Sequence, residues 1–333
     1  MNIAINGFGR IGRSVFRILN LNKDYRIVAI NDLTPSDALT YLLKYDTVMG
    51  RLEGKAELEG DILRTENHTV KMLSESKPSE LPWTAMGIDI VIEATGVFRT
   101  REKLSPHLEA GAKRVILTVP AKDEIDYTVV IGVNDKGLTP QDRIISNASC
   151  TTNCLAPMAK VLNDSFGIDY GVINTIHAYT NDQRLADVPH TDWRRSRAAA
   201  ENVIPTTTGA ARAVGKVLPE LDGKLDGIAM RVPVPDGSVV DFVVRLEQDV
   251  TTKQVNEAVK EASNSIQLER ILEFSTLPVV STDIIGNPHS SIFDAPFTKV
   301  IQGNLVKTLN WYDNEWGYSN RVVDLIGILA DMD

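Results

Sequence analysis

A glycine-rich segment between an apolar run and an amphipathic one, Gly7-Phe8-Gly9-Arg10-Ile11-Gly12, limits the folds open to this chain more than any other stretch. Ile3 to Asn6 before it reads as a strand. The residues from Ile11 onward place Ile11, Val15, Ile18 and Leu19 on one helical face. A strand, a G-x-G-x-x-G turn and a helix in succession open a βαβ unit. Alone, the six residues mean no more than a tight turn, but Asp32 closes the second strand, Arg26 to Asp32, twenty residues past Gly12. Bare backbone at Gly7, Gly9 and Gly12 lets a pyrophosphate approach the helix N-terminus, where unpaired N–H groups and the dipole favour an anion. Asp32 then accepts hydrogen bonds from an adenosine ribose, and its carboxylate repels a 2′-phosphate, so NAD is expected over NADP. The competing reading, Asp32 as a cap or turn residue, explains neither the spacing nor the strand before it.

The same alternation continues. Asp89 to Gly96, Arg114 to Pro120, Thr128 to Val133 and Arg143 to Ser149 each read as a strand too apolar to have one wet face. A parallel sheet covered on both sides by helices accounts for that. At 333 residues the chain outgrows a single core, so two domains are expected. A hydrophobic content of 43% against 24% charged residues supplies the cores and excludes disorder. The net charge of -9 argues against a nucleic-acid partner. No leader pattern precedes the first strand, and no apolar run approaches the ~18 residues that cross a bilayer. Two cysteines make no disulfide framework. A cytoplasmic protein without a membrane partner is therefore expected.

Both cysteines lie in the stretch Ser146 to Pro157. Ser149 reads as an N-cap, and Cys150 falls in the first turn of a helix whose Leu155, Met158, Leu162 and Phe166 form an apolar face. A thiol at a helix N-terminus has its thiolate stabilised by the dipole and the orphan N–H groups, which makes Cys150 a candidate nucleophile. Cys154, one turn on, reads as a small buried hydrophobe. Packing alone could explain the pair. A zinc site needs two more ligands, and no His or Cys is near in sequence, so no metal is expected.

A cysteine nucleophile needs a base. Of five histidines, His177 ends an apolar run that reads as a strand, whereas His68, His107 and His289 lie in polar or turn-like surroundings. Only pairing with Cys150 lifts His177 above the alternative of a core histidine.

With these residues identified, the chain resembles the phosphorylating glyceraldehyde-3-phosphate dehydrogenases over its whole length. The matching stretches are INGFGRIGR, LLKYDT, SNASCTTNCLAP, TIHAYTNDQR, RRSRAAA, IPTTTGAA, RVPVP and WYDNEWGYSNR, in that family's order and spacing. The resemblance implies a Rossmann-type NAD-binding domain over residues 1–149 and an α+β catalytic domain with a mostly antiparallel sheet over 150–315. It also implies a C-terminal helix, 316–333, that packs back on the first domain. Cys150 resembles the acyl-forming nucleophile and His177 the base. Arg10, Ile11, Asp32, Ser76, Thr95 and Thr118 match NAD-contacting positions, with Asn314 on the nicotinamide carboxamide. Thr180 and Arg231 resemble the residues that hold the phosphate of glyceraldehyde 3-phosphate. Ser149, Thr151, Arg195, Thr208 and Gly209 match the pocket of inorganic phosphate. A homotetramer is implied by the family alone.

Some of these residues have plainer readings. Arg194, Arg195 and Arg197 read equally as salt-bridged loop residues. The threonines of IPTTTG serve equally as caps, and Asn314 as the cap of a last helix, Tyr318 to Met332, striped with Val322, Val323, Leu325, Ile326 and Leu329. Ser76 stands where the family often has arginine, Met49 where histidine is common, and Asp236-Gly237 where Asn-Val is usual. These positions lie away from Cys150 and His177 in sequence and are expected to leave the reaction unchanged. Val188-Pro189 resembles the Leu-Pro of NAD-specific members. The alternatives are an erythrose-4-phosphate dehydrogenase and a catalytically silent NAD-binding protein.

Overall fold

The computed structural model describes residues 1–332. Contacts divide the chain into two units. One joins Met1–Val129, Lys136–Ala148 and the C-terminal stretch from Ser319; the other joins Val130–Asp135 to Ser149–Tyr318.

The first unit carries a sheet in the order Tyr127–Thr128, Ile144–Ser146, Arg114–Leu117, Ile90–Glu93, Asn2–Asn6, Arg26–Asn31, Thr69–Leu73, Ile62–Thr65, Ala56–Glu59. All neighbours pair in parallel except the last two strands, which turn antiparallel at the edge. Ile90–Glu93 and Arg114–Leu117 are buried along their whole lengths, as strands covered on both faces must be. From Asn2–Asn6 the chain first adds a strand on one side and later, with Ile90–Glu93, one on the other. The connections leaving Asn6 and Glu93 therefore diverge and leave a crevice at the carboxyl ends of these strands.

Two local expectations are corrected. In the helix Arg10–Asn20 the buried stripe runs through Val15, Phe16 and Leu19, while Ile11 and Ile18 are only half-buried. Arg17 draws the stripe round: its guanidinium is buried because it donates to the carbonyls of Leu43 at 2.7 Å and Gly50 at 3.0 Å. Thr128 to Val133 is a strand only at its first residue. Val129 and Val130 are buried, but Asn134 Oδ1 accepts from Val130 N at 2.8 Å and Asp135 Oδ1 from Gly132 N at 2.7 Å. With Gly132 at φ +81°, those side-chain bonds close a turn where apolarity predicts a ladder.

The second unit is built on a mixed, mostly antiparallel sheet in the order Ile204–Thr207, Leu225–Val232, Ile168–Ala178, Ser238–Leu246, Leu305–Tyr312, Ser291–Asp294, Leu272–Ser275, with Lys299–Ile301 beside Leu305–Tyr312. The helix Cys150–Phe166 packs on it, and Cys154, 0% exposed, touches Ser291 Oγ and Asn310 O. Register matters more here than composition. Ile168–Ala178 and Leu225–Val232 run parallel with His177 opposite Arg231, and Ser238 stands opposite Tyr312. Four strand ends thus meet at one rim of the sheet. The expected combination of a Rossmann-type unit with an α+β unit is borne out.

The last helix runs Trp316–Ala330, beginning two residues before the expected Tyr318; Val322, Leu325, Ile326 and Leu329 are buried and Val323 half-buried. No helix among the described residues is long and apolar enough to cross a membrane.

Candidate active site

The crevice of the first unit has a volume of about 400 Å³ and is lined by Gly7, Gly9, Asp32, Ser76 and Thr95, together with Asn6. Each glycine has its own reason. Gly7 sits at φ +93°, and a Cβ there would lie 2.6 Å from Thr95 N; a Cβ on Gly12 would lie 2.2 Å from Gly7 O. These two close the turn against the strand and the helix. A Cβ on Gly9 would meet nothing within 4 Å, so its bare backbone borders open space. Gly9 is also the N-cap of Arg10–Asn20 and supplies no side-chain cap, which leaves first-turn N–H groups for an anion. Asp32 is fixed at the rim: Oδ2 accepts from Phe8 N at 2.7 Å and Oδ1 from Thr34 N at 2.9 Å. These residues fit a dinucleotide. Gly12→Ala is expected to lower stability by about 1–3 kcal/mol through overpacking. Gly9→Ala is expected to stay within about 0.5 kcal/mol of wild type and weaken NAD by about tenfold. Thermal melts and a cofactor titration of both variants check the contrast.

The other NAD-contact candidates divide differently. Arg10 reaches across to Asp46, and Ile11 is half-buried. The Thr118 hydroxyl donates to Glu93 O at 3.0 Å. Ser76 Oγ lies 3.4 Å from Glu75 Oε1. His68 lies in the turn between two strands and His107 among polar partners, and both are buried, at 5% and 0% exposed. Trp83 Nε1 donates to His107 Nδ1 at 3.1 Å, so Nε2 carries the hydrogen and donates to Glu93 Oε2, also at 3.1 Å. Glu93 in turn accepts from Asn6 Nδ2 at 2.6 Å and from Thr95 N at 2.9 Å. A buried carboxylate thus ties down the Thr95 turn. Its only sequence signal is one acid at the end of an apolar strand.

In the second unit Ser149 caps the helix Cys150–Phe166, with Oγ accepting from Thr152 N at 3.0 Å, and Cys150 is the first helical residue. Cys150 Sγ lies 3.5 Å from His177 Nε2. His177 Nδ1 is 2.7 Å from Ala178 O, and Arg231 Nη1 lies 2.7 Å from Nδ1 and 2.9 Å from Ala178 O. Burial disfavours charge on either partner taken singly: it pushes the Cys150 thiol up and holds the His177 imidazole down to about 3, with Arg231 adding to the latter. A proton passed from Sγ to Nε2 leaves opposite charges in contact, and Arg231 and the helix N-terminus both favour the thiolate. Cys154, one turn deeper, has its thiol pushed far up by burial, consistent with packing.

Of the remaining candidates, Arg195 acts with Asp182 on the charge of His177. Thr180 Oγ1 donates to Asp182, and Arg195 pairs with the same Asp182 and donates to Thr206 Oγ1 at 2.9 Å. Arg197 pairs with Asp187, so the salt-bridge reading of RRSR describes the geometry of both arginines. Gly209 is the N-cap of Ala210–Val217 and a Cβ there would meet nothing within 4 Å, while Thr208 Oγ1 accepts from Ala210 N at 3.2 Å. Thr152 Oγ1 donates to Ala210 O at 3.4 Å, which joins the two helix starts. The Thr151 side chain turns inward, 2.8 Å from the Tyr312 hydroxyl, so only its backbone N–H can serve a ligand.

Several contributors lie outside the sequence reading. Tyr312, 1% exposed, bonds Thr151 and Thr175 and sets its ring edge-to-face with His177 at 5.8 Å. Ser238 accepts from Ala178 N and donates to Asn314 Oδ1 at 2.6 Å. The expectation that Asp236 stands apart from the reaction is corrected: it is buried, it accepts from Asn314 N at 3.3 Å, and its charge would raise the Cys150 thiol. The partner that reveals it, Asn314, lies 78 residues further along the chain.

Comparison with known proteins gives two family matches, to the NAD binding domain of glyceraldehyde 3-phosphate dehydrogenase over residues 1–101 and to its C-terminal domain over residues 149–314. The chain is 54% identical over 327 residues to a glyceraldehyde-3-phosphate dehydrogenase of Streptomyces coelicolor, covering 98% of this chain and 97% of that one. It is 53% identical over 331 residues to glyceraldehyde-3-phosphate dehydrogenase 1 of Bacillus subtilis, and 54% over 331 residues to the enzyme of Geobacillus stearothermophilus, each covering 99% of this chain and 98% of the relative.

Proposed function

Because the chain belongs to the glyceraldehyde 3-phosphate dehydrogenase family, we infer that it oxidises and phosphorylates D-glyceraldehyde 3-phosphate to 1,3-bisphosphoglycerate with NAD and inorganic phosphate. The observation that carries this reading is the 3.5 Å contact between Cys150 Sγ and His177 Nε2 at a helix N-terminus. As the thiol proton moves to Nε2, the sulfur adds to the aldehyde carbon. His177 returns the proton to the developing oxyanion and takes it back when that carbon is oxidised to a thioester. NAD, when bound, accepts the hydride. The thioester stays reactive enough for phosphate to attack its carbonyl, and the acyl phosphate leaves as the thiolate is restored.

Two anions must be held by a net acidic protein. Thr180 and Arg231 hold the substrate phosphate. Ser149, Thr151, Arg195, Thr208 and Gly209 hold inorganic phosphate, and two adjoining helix N-termini support that role. Ser238 occupies Asn314 Oδ1, so the amide offers Nδ2, a donor suited to the carboxamide oxygen of nicotinamide. On this reading residues 1–149 bind NAD, 150–315 carry the chemistry, and 316–333 return to the first domain. The setting is the cytoplasm and the assembly a homotetramer. Tyr170 and Val172 on one strand and Ile228 on its parallel neighbour share one face of the catalytic sheet and are 54%, 58% and 46% exposed, which supports self-association and is checked by sedimentation.

The test is the rise in NADH absorbance with NAD, phosphate and either glyceraldehyde 3-phosphate or erythrose 4-phosphate, with NADP in parallel. A phosphate-dependent signal with the three-carbon substrate and NAD is expected. Preference for the four-carbon sugar, or silence with both, overturns the assignment.

A further inference from the structure

Asp236, 1% exposed, uses only half of its carboxyl group. Oδ1 accepts from Gly237 N at 2.8 Å and from Asn314 N at 3.3 Å, while Oδ2 is buried and receives no hydrogen bond. The group facing it is Asp313, also 1% exposed. Asp313 is fully engaged: Oδ1 accepts from Glu315 N at 2.9 Å and Trp316 N at 2.6 Å, and Oδ2 from Gly286 N at 2.8 Å. Two buried carboxyls that face one another disfavour a charge on both. The donor pattern decides which holds the proton. Asp313 already receives three N–H groups while Asp236 Oδ2 receives none, so a hydrogen placed on Oδ2 and shared with Asp313 would satisfy the orphaned oxygen. Glycine at 237 lets the turn close, since a Cβ there would lie 2.1 Å from Ser281 O.

We propose that Asp236, as the protonated half of an Asp236–Asp313 pair, is a positioning residue that fixes Asn314, and through Ser238 and Ala178 the His177 ring, and that loss of the shared proton at alkaline pH loosens this arrangement. The inference rests on the reading of Cys150, His177 and Asn314 given above. The connection is continuous: Asn314 is bonded to Asp236 by its backbone and to Ser238 by its side chain, Ser238 to Ala178 N, and the Ala178 carbonyl to His177. Burial and the charge of Asp313 raise the Asp236 carboxyl to about 9. The other charged or titratable groups that face it are Glu315 and the Cys150 thiol.

The sign follows from linkage. An unfolded aspartate ionises near about 3.9, so between that pH and 9 the native chain holds a proton the unfolded chain has lost. Stability contributed by this group is present at acid pH and is lost as pH rises through that window. Asp236→Asn keeps an acceptor for Asn314 N and a donor for Asp313 but does not titrate. The experiment compares wild type, Asp236→Asn and Asp236→Ala by melting temperature of the cofactor-free protein from pH 5 to 9.5, by alkylation of Cys150, and by kcat and KM for NAD. Wild type is expected to lose melting temperature relative to Asp236→Asn as pH rises, and to show an alkaline fall in alkylation and in kcat that Asp236→Asn lacks. Asp236→Ala is expected to raise the KM for NAD by about five- to tenfold, with much of the loss rescued by Asn. Parallel melting curves for wild type and Asp236→Asn overturn the shared proton; an unchanged KM and alkylation rate in Asp236→Ala overturn the positioning role. If the dehydrogenase reading itself fails, wild type is inactive at every pH, and the melting and alkylation arms still judge the pair.

Discussion

Cys150→Ser is expected to cut the phosphate-dependent formation of NADH by about three orders of magnitude or more. The hydroxyl keeps the place of the thiol at the start of the helix Cys150–Phe166 but is a far weaker acid, so neither His177 nor the helix dipole produces enough of its anion. An oxygen ester, were one formed, would also resist phosphate more than a thioester does. The substitution is nearly isosteric at a partly exposed position, so stability should stay within about 0.5 kcal/mol of wild type. Cofactor binding should persist, because the glycine turn and Asp32 belong to the other unit. A steady-state assay beside a thermal melt and an NAD titration checks all three. Residual turnover above a few per cent of wild type would mean that the sulfur is not the nucleophile.

His177→Asn should lower kcat by about 10²–10⁴ with a much smaller change in KM, the range attached to a positioned general base. Its pH dependence separates this from a packing defect. In wild type, the thiol loses its proton to an imidazole that burial and Arg231 keep neutral, held down to about 3, so the base stays available from weakly acidic pH upward. Without that acceptor the Cys150 thiol, pushed up by burial, must ionise unaided. Both turnover and alkylation by iodoacetamide should therefore be slow at pH 7 and climb more steeply with pH than in wild type. A uniform loss at every pH would point to misplacement of Tyr312 and Arg231, which both contact the ring.

The two anchors of the site were legible because their causes are local. A G-x-G-x-x-G turn is written in backbone freedom: Gly7 needs its positive φ and Gly12 its missing Cβ, whatever lies elsewhere. The reactivity of Cys150 is written in its place after the N-cap Ser149. The failures were of the opposite kind. His107 looked polar by its neighbours in sequence, yet Glu93 and Trp83 make it a fully buried link. Thr128 to Val133 looked like a strand by apolarity, yet Asn134 and Asp135 fold it into a turn.

The sequence determined the order of strands and helices, the dinucleotide turn with its acidic residue, and the placing of one thiol at a helix start, since each depends on residues a few positions apart. Tertiary structure decided everything that needs register. Thr151 meets Tyr312 across 161 residues and Asp236 meets Asn314 across 78, and neither meeting has a period or a motif to announce it. Only when parallel pairing sets His177 beside Arg231 and antiparallel pairing sets Ser238 beside Tyr312 do four strand ends share one rim. The side chains that tune Cys150 and His177 are chosen there, because a one-residue slip would turn them to the other face of the sheet.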